Sequence, residues 1–127
     1  MKRSIILQPL SREHHTALKL AKACEQAAQS GDEAMVNSIC QRAIHAFSSE
    51  LEPHFKIEES TLLPLLQGVE ENLLAQRTLS DHQKLRGLVK VLNQNNIGAL
   101  HEFGKCLSAH IRFEEGELFP AIESLLN

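Results

Sequence analysis

Apolar positions recur at helical spacing along nearly the whole chain, and breakers divide that pattern into four segments. The first runs from about Ser11 to Ser30, with Ser11 as the expected N-cap, Leu18 and Ala21 on its apolar stripe and Gly31 as the stop. The second opens at Asp32 and continues to about Gln67, before Gly68. Pro53 and Pro64 interrupt it, and Pro53 is expected to kink or reset the helix just before His54. A third segment spans roughly Glu70 to Leu92, and the turn-rich Asn93–Asn96 leads to a fourth from Ile97 to Leu126. Short connections between long helices imply antiparallel neighbours. The predicted fold is therefore all-α, an antiparallel up-down-up-down four-helix bundle formed as one domain over residues 1–127.

Composition agrees with that reading and removes several function classes. Leu and Ala dominate the apolar 43%, and there is no Trp or Tyr, a bias toward helix over sheet. Net charge is −3 with no basic block, so no nucleic-acid partner is expected. Lys2 and Arg3 precede Ile5-Ile6-Leu7 like a leader peptide, but Gln8 and Pro9 end the apolar run too soon. No stretch reaches membrane-spanning length, and a cytoplasmic monomer or weak homo-oligomer is the expectation. Cys24, Cys40 and Cys106 form no CxxC and read as small apolar residues inside helices.

Seven histidines in so short a chain are the anomaly, and an internal repeat organises them. His54-Phe-Lys-Ile-Glu-Glu-Ser-Thr-Leu-Leu-Pro64 matches His110-Ile-Arg-Phe-Glu-Glu-Gly-Glu-Leu-Phe-Pro120 position by position. Phe47 and Phe103 each stand seven residues before the histidine of their copy. The first and third segments echo each other as well, His15-Thr-Ala-Leu18 against His82-Gln-Lys-Leu85. The chain reads as two helical hairpins, each with one lone-histidine helix and one HxxxE helix.

The spacing has a chemical consequence. His54 and Glu58, like His110 and Glu114, are four residues apart, which puts each pair on one helix face a turn apart. The phenylalanines two turns earlier make that face the inward one. A carboxylate buried there without a partner is costly or takes up a proton, and two facing one another call for a cation. His15 and His82 lie beside the apolar stripes of their own helices. The ligand set becomes His15, His54, Glu58, His82, His110 and Glu114, drawn from all four helices. Two metals sharing both glutamates would each receive two imidazoles and two carboxylate oxygens, leaving positions for a bridging oxygen and an outside ligand. These donors suit iron, manganese or zinc rather than an iron–sulfur cluster.

The other histidines act as a control. His45 and His101 fall nine residues before His54 and His110, on the opposite side of their helices, and are expected at the surface. His14 points about a third of a turn from His15 and is read as a first-turn or supporting residue. The preference for His15 rests on its pairing with His82. Glu59 and Glu115 are expected to be exposed or supporting, with the option that one reaches a metal.

The order His, HxxxE, His, HxxxE resembles the hemerythrin-like family in its HHE cation-binding branch, over essentially the whole chain. The resemblance implies a four-helix bundle holding two iron ions, a non-haem di-iron centre bridged by carboxylates and an oxo or hydroxo group. It places His15, His54, Glu58, His82, His110 and Glu114 at the ligand positions, with zinc or manganese as other ions the set would accept. Family members carry or sense oxygen, handle nitric oxide, sense iron or assist iron–sulfur repair, the last with an N-terminal extension this chain does not display. The oxygen carriers have HxxxH on the third helix and HxxxxD on the last. Here Thr78 and Arg86 stand four residues either side of His82, and the last helix carries HxxxE. The missing imidazole opens a position to water, Glu59 or a substrate. The expected role therefore moves toward sensing or reacting with oxygen, nitric oxide or peroxide. An oxygen or iron carrier or storage module is one alternative. A small di-iron enzyme (peroxidase, nitric-oxide reductase or iron–sulfur repair accessory) is another. No nucleophile, nucleotide loop or general acid stands near the ligands, so any catalysis would be the metal's own.

Overall fold

A computed structural model of the chain describes residues 3–126; Lys2 of the leader-like start lies outside them. Four helical rods form the bundle, with no strand among the described residues. The first rod is α1, Gln8–Ser30. The second is a composite of α2, Glu33–Ala46, a π-helical turn at Phe47–Leu51, α3, Glu52–Ile57, a second π turn at Glu58–Leu62 and a 3-10 turn at Leu63–Leu65. The third is α4, Val69–Val89. After a 3-10 turn at Leu92–Gln94, the fourth rod comprises α5, Ile97–Phe113, a π turn at Glu114–Leu118 and α6, Phe119–Leu126.

Most boundaries follow local chemistry. Asp32 and Asn96 cap α2 and α5, their side chains accepting from the backbone N–H of Met35 and Ala99. Gly31 ends α1 with φ +71°, in the left-handed region that costs glycine nothing. The start of α1 departs from the sequence expectation. The helix begins at Gln8, with Pro9 in its first turn and buried Leu7 before it, where proline's fixed φ suits a helix start. Ser11 is inside the helix, and its hydroxyl donates to Glu115 at 2.8 Å instead of capping.

The three π turns share one cause. Each begins six residues before a proline: Phe47 before Pro53, Glu58 before Pro64, Glu114 before Pro120. Proline offers no N–H, and its ring collides with the carbonyl four residues back in a regular helix. In each case the residue before the proline donates to the carbonyl five positions earlier, from Glu52 to Phe47, Leu63 to Glu58 and Phe119 to Glu114. The wider turn accommodates the ring without breaking the rod. Pro53 thus resets the helix as expected, but without ending the second rod.

The buried apolar residues fall into two groups. One surrounds Phe47, Phe55, Phe103, Leu107 and Ile111, and the other surrounds Leu10, Leu62, Phe113, Leu118 and Phe119. Between them lies a layer of buried histidines and glutamates. In the first group α1 and α5 approach closely. A Cβ on Gly104 would stand 2.7 Å from the carbonyl oxygen of Ala21, so only glycine fits there. The buried residues of α1 at that contact, Ala21 and Cys24, are correspondingly small, while Leu10 and Leu20 are buried elsewhere along the helix. All three cysteines are free, and Cys24 and Cys40 are fully buried. Burial pushes the Cys24 thiol up to about 12.

Candidate metal centre

Six buried side chains from the four rods meet in the polar layer: His14 from α1, His54 and Glu58 from the second rod, His82 from α4, and His110 and Glu114 from the fourth. They form two groups. His14 and His54 share one with Glu58 and Glu114, and His82 and His110 share the other with the same two glutamates. Within each group one atom per residue lies within 4.8 Å of all the others. Glu58 reaches His54 Nε2 with Oε2 and His82 Nε2 with Oε1, both at 3.0 Å. Glu114 reaches His14 Nε2 with Oε1 at 2.9 Å and His110 Nε2 with Oε2 at 3.2 Å. Each carboxylate therefore spans both groups.

The residue from α1 is His14 and not the expected His15. His15 is exposed on the outer face of the helix, near Arg3, Arg12 and Gln8. Leu18 is only half-buried, whereas Ala17, three residues after His14, is buried as Leu85 is after His82. The correct parallel runs from His14–Ala17 to His82–Leu85, one residue out of register with the sequence match. Of the control residues, His45 is exposed and His101 half-buried, and both lie away from the layer.

A second ring of acids holds the imidazoles. The Nδ1 of His14 faces Glu115 Oε2 at 2.6 Å, and that of His54 faces Glu13 Oε1 at 2.7 Å. His82 Nδ1 faces Glu59 Oε2 at 2.7 Å, and His110 Nδ1 faces Asp81 Oδ2 at 2.9 Å. The pattern repeats in both halves: the acid before the lone histidine holds the HxxxE histidine, and the acid after the shared glutamate holds the lone one. Guanidinium groups anchor this ring in turn. Arg86 binds Glu59 at 2.9 Å and Glu52 through a fork, Arg3 binds Glu115 and Glu123, and Arg77 approaches Asp81 at 3.4 Å. Glu59 and Glu115 are thus supports directed at Nδ1. Glu13 and Asp81 were missed in the sequence, where the signal was an acid directly before each lone histidine.

These contacts decide what the layer can hold. An Nδ1–H that donates to a carboxylate leaves Nε2 as a lone-pair acceptor. All four Nε2 atoms then point at carboxylate oxygens, which are acceptors as well. Only a cation or a set of protons can sit between them. His110 Nε2 and Glu114 Oε2 are buried and have no hydrogen-bond partner, although they stand 3.2 Å apart. Two donors roughly 2.1 Å from one ion and at right angles stand about 3 Å apart, which matches the spacings above. The residues fit two hard or borderline cations, each with two imidazole nitrogens and two carboxylate oxygens.

Charge balance leans the same way. Burial alone would lower His54, but hydrogen bonds it donates to Glu114, Glu58 and Glu13 and the Glu58 charge raise it to about 11. His110 is raised to about 10 against its burial, chiefly by the charge of Glu114 and the hydrogen bond to Asp81. Burial and the facing Glu114 carboxylate push Glu58 up. Glu114 stays well below the usual carboxylate range despite burial, because His110, His14 and His54 surround it. Glu59, Asp81 and Glu115 are all lowered, their histidine and arginine partners outweighing burial. Without a metal, protons on imidazole must do the cation's work.

A family model of the hemerythrin HHE cation-binding domain matches residues 6–122. The chain belongs to the hemerythrin HHE cation-binding family. Among curated proteins and solved structures none matches it. Membership in the hemerythrin family implies cation binding, typically of iron, and the two His/Glu groups fit a metal site. No described helix is long and apolar enough to cross a membrane.

This hemerythrin-family centre has covers of unequal kind. Phe55 stacks on His82 with centroids 3.9 Å apart and planes 11° from parallel, and His82 is fully buried. Phe119 stacks on His14 at 5.3 Å and 15°. A cavity of about 230 Å³ reaches His14, His54, His110 and Glu114, while His82 and Glu58 are not among its walls.

Proposed function

We propose that the protein binds two iron ions in this layer and uses them to sense or react with oxygen, nitric oxide or peroxide. One ion would be held by His14 and His54, the other by His82 and His110, and Glu58 and Glu114 would be shared. The observation that carries this reading is that both glutamates span two otherwise separate pairs of imidazole nitrogens. Iron bound there would supply electrons and coordination positions open to a small oxidant. The chain's own residues do the rest. The Nδ1 partners fix each imidazole's tautomer and orientation and raise its basicity. The two apolar groups cover the layer above and below, so that small molecules reach the donors through the cavity at His14, His54, His110 and Glu114.

Reaction or sensing is favoured over carriage by the surroundings of His82. The Thr78 hydroxyl donates to the Leu74 carbonyl at 2.8 Å, and Arg86 is committed to Glu52 and Glu59. Neither supplies another ligand, which leaves each ion with two imidazoles. Metal analysis after anaerobic reconstitution with ferrous iron tests the assignment directly. Close to two irons per chain is expected, and a content near zero, or preferential retention of zinc or manganese, overturns it. Exposing the reduced protein to air then separates the roles. Rapid, irreversible oxidation is expected, whereas reversible oxygen uptake would assign a carrier.

A further inference from the structure

The cavity is larger than an oxygen-sized ligand needs. It opens between α1, the α2–α3 rod and α5, with Arg42, Ser49 and Glu50 exposed at its mouth. Its walls are buried and apolar, formed by Ala17, Leu20, Leu51, Phe55, Leu107 and Ile111. Its inner end meets His14, His54 and Glu114, with His110 beside them. At roughly 30 Å³ for a water-sized group, its volume of about 230 Å³ holds about eight such groups, where dioxygen or hydrogen peroxide fills about two. The mouth carries both charge signs, so it does not select by charge. Apolar walls of this extent favour a hydrocarbon chain over a column of water.

We propose that this cavity binds an amphipathic small molecule, an alkyl or aryl chain of about six carbons whose oxygen head faces His14, His54 and Glu114. The proposal rests on the reading of that group as a metal centre, since the head would meet the ion while the chain fills the apolar walls. Selection is by length and width. Each methylene added to the chain gains contact with the walls until it reaches the mouth, and further methylenes emerge into water and gain nothing.

The test is a chain-length series of straight-chain carboxylates from acetate to decanoate, titrated into the iron-loaded protein and followed by calorimetry and near-ultraviolet absorption. Affinity is expected to rise about fourfold per methylene, the free energy of burying one, up to about hexanoate, and then to level off. Ala46→Phe narrows the wall far from the ligands and should move the break to shorter chains at unchanged iron content. Leu20→Ala widens it and should move the break to longer ones. The series is repeated on metal-free protein, where the methylene increment persists on a weaker base because the walls are the same. An affinity independent of chain length in both forms, or a break that neither variant moves, overturns the cavity assignment. Iron content by itself judges the metal reading, so the two failures are distinguishable.

Discussion

The two sides of the polar layer have the same donors but different neighbours. On one side His82 is covered by Phe55, whose ring lies flat on it, and by Leu85 one turn along α4, while its neighbour His110 borders the cavity. On the other side the residue equivalent to Leu85 is Ala17, and the residue equivalent to Phe55 in the repeat is Ile111. Both smaller residues line the cavity. The repeat thus duplicates the histidines, their shared glutamates and their acid supports, while residues just outside differ in size. Access is set by that outer layer. A near-symmetric centre can thus present three of its four histidines and one of its two glutamates to a cavity while His82 and Glu58 stay covered.

The strongest way to break the comparison is to remove what both sides share. Glu58→Ala should leave a helical protein with far less than one iron per chain, because each group loses an oxygen at once. His14→Ala should remove one ion and spare the His82–His110 side, and His15→Ala should remove none. Metal analysis beside far-ultraviolet circular dichroism reads all three. Full iron in Glu58→Ala, or loss of iron in His15→Ala, would contradict the assignment.

Exchanging the outer residues should exchange the access. Leu85→Ala removes a fully buried side chain beside His82 and should cost about 2–5 kcal/mol in denaturant unfolding, with a new opening on the closed side. Ala17→Leu has cavity volume to grow into, so it should hold its stability and lose hexanoate binding. If Leu85→Ala unfolds as readily as the unaltered chain does, the tight packing argued for that side is absent.

Proton release comes next in size. His54 and His110 ordinarily titrate near 6.5 but are raised to about 11 and about 10 in the folded protein without metal. At neutral pH both must lose a proton when a metal binds, so affinity should climb about tenfold per pH unit for each proton displaced. Calorimetry in buffers of different ionisation enthalpy counts those protons. The same shifts set a sign for stability. A raised imidazole pKa stabilises the metal-free bundle fully below about 6.5, and that contribution is lost as pH rises through about 10 to 11. The metal-free protein should therefore weaken in alkali while the loaded one does not.

How legible this arrangement was in the sequence depends on the helix. HxxxE with phenylalanine seven residues earlier locates His54, Glu58, His110 and Glu114, since large apolar residues mark the inward face of those rods. On α1 that marker fails. Gly104 packs against Ala21 and Cys24, the large inward Leu10 and Leu20 do not stand seven residues before the histidine, and the half-buried Leu18 points the reading one residue astray, to His15. The helix ends were readable wherever a side chain caps, at Asp32 and Asn96, and not at Gln8, where buried Leu7 and Pro9 set the start. The cavity was not legible, because it arises from residues on different rods being smaller than their counterparts.

The smallest expected difference lies in the acid supports and follows from exposure. Asp81 and Glu13 play equivalent parts, each accepting from the Nδ1 of an HxxxE histidine. The side chain of Asp81 is 24% exposed and that of Glu13 is 58% exposed. Water screens the more exposed carboxylate and can replace it as an acceptor, whereas a less accessible Nδ1–H left facing an amide is oriented less firmly. Asp81→Asn should therefore weaken iron binding by about 10–100-fold, the usual range for such supports, and Glu13→Gln by less than about tenfold. Competition with a chelator of known affinity resolves that interval. Equal losses would mean that solvent does not distinguish the two supports, and the asymmetry between the two sides would then stop at the cavity.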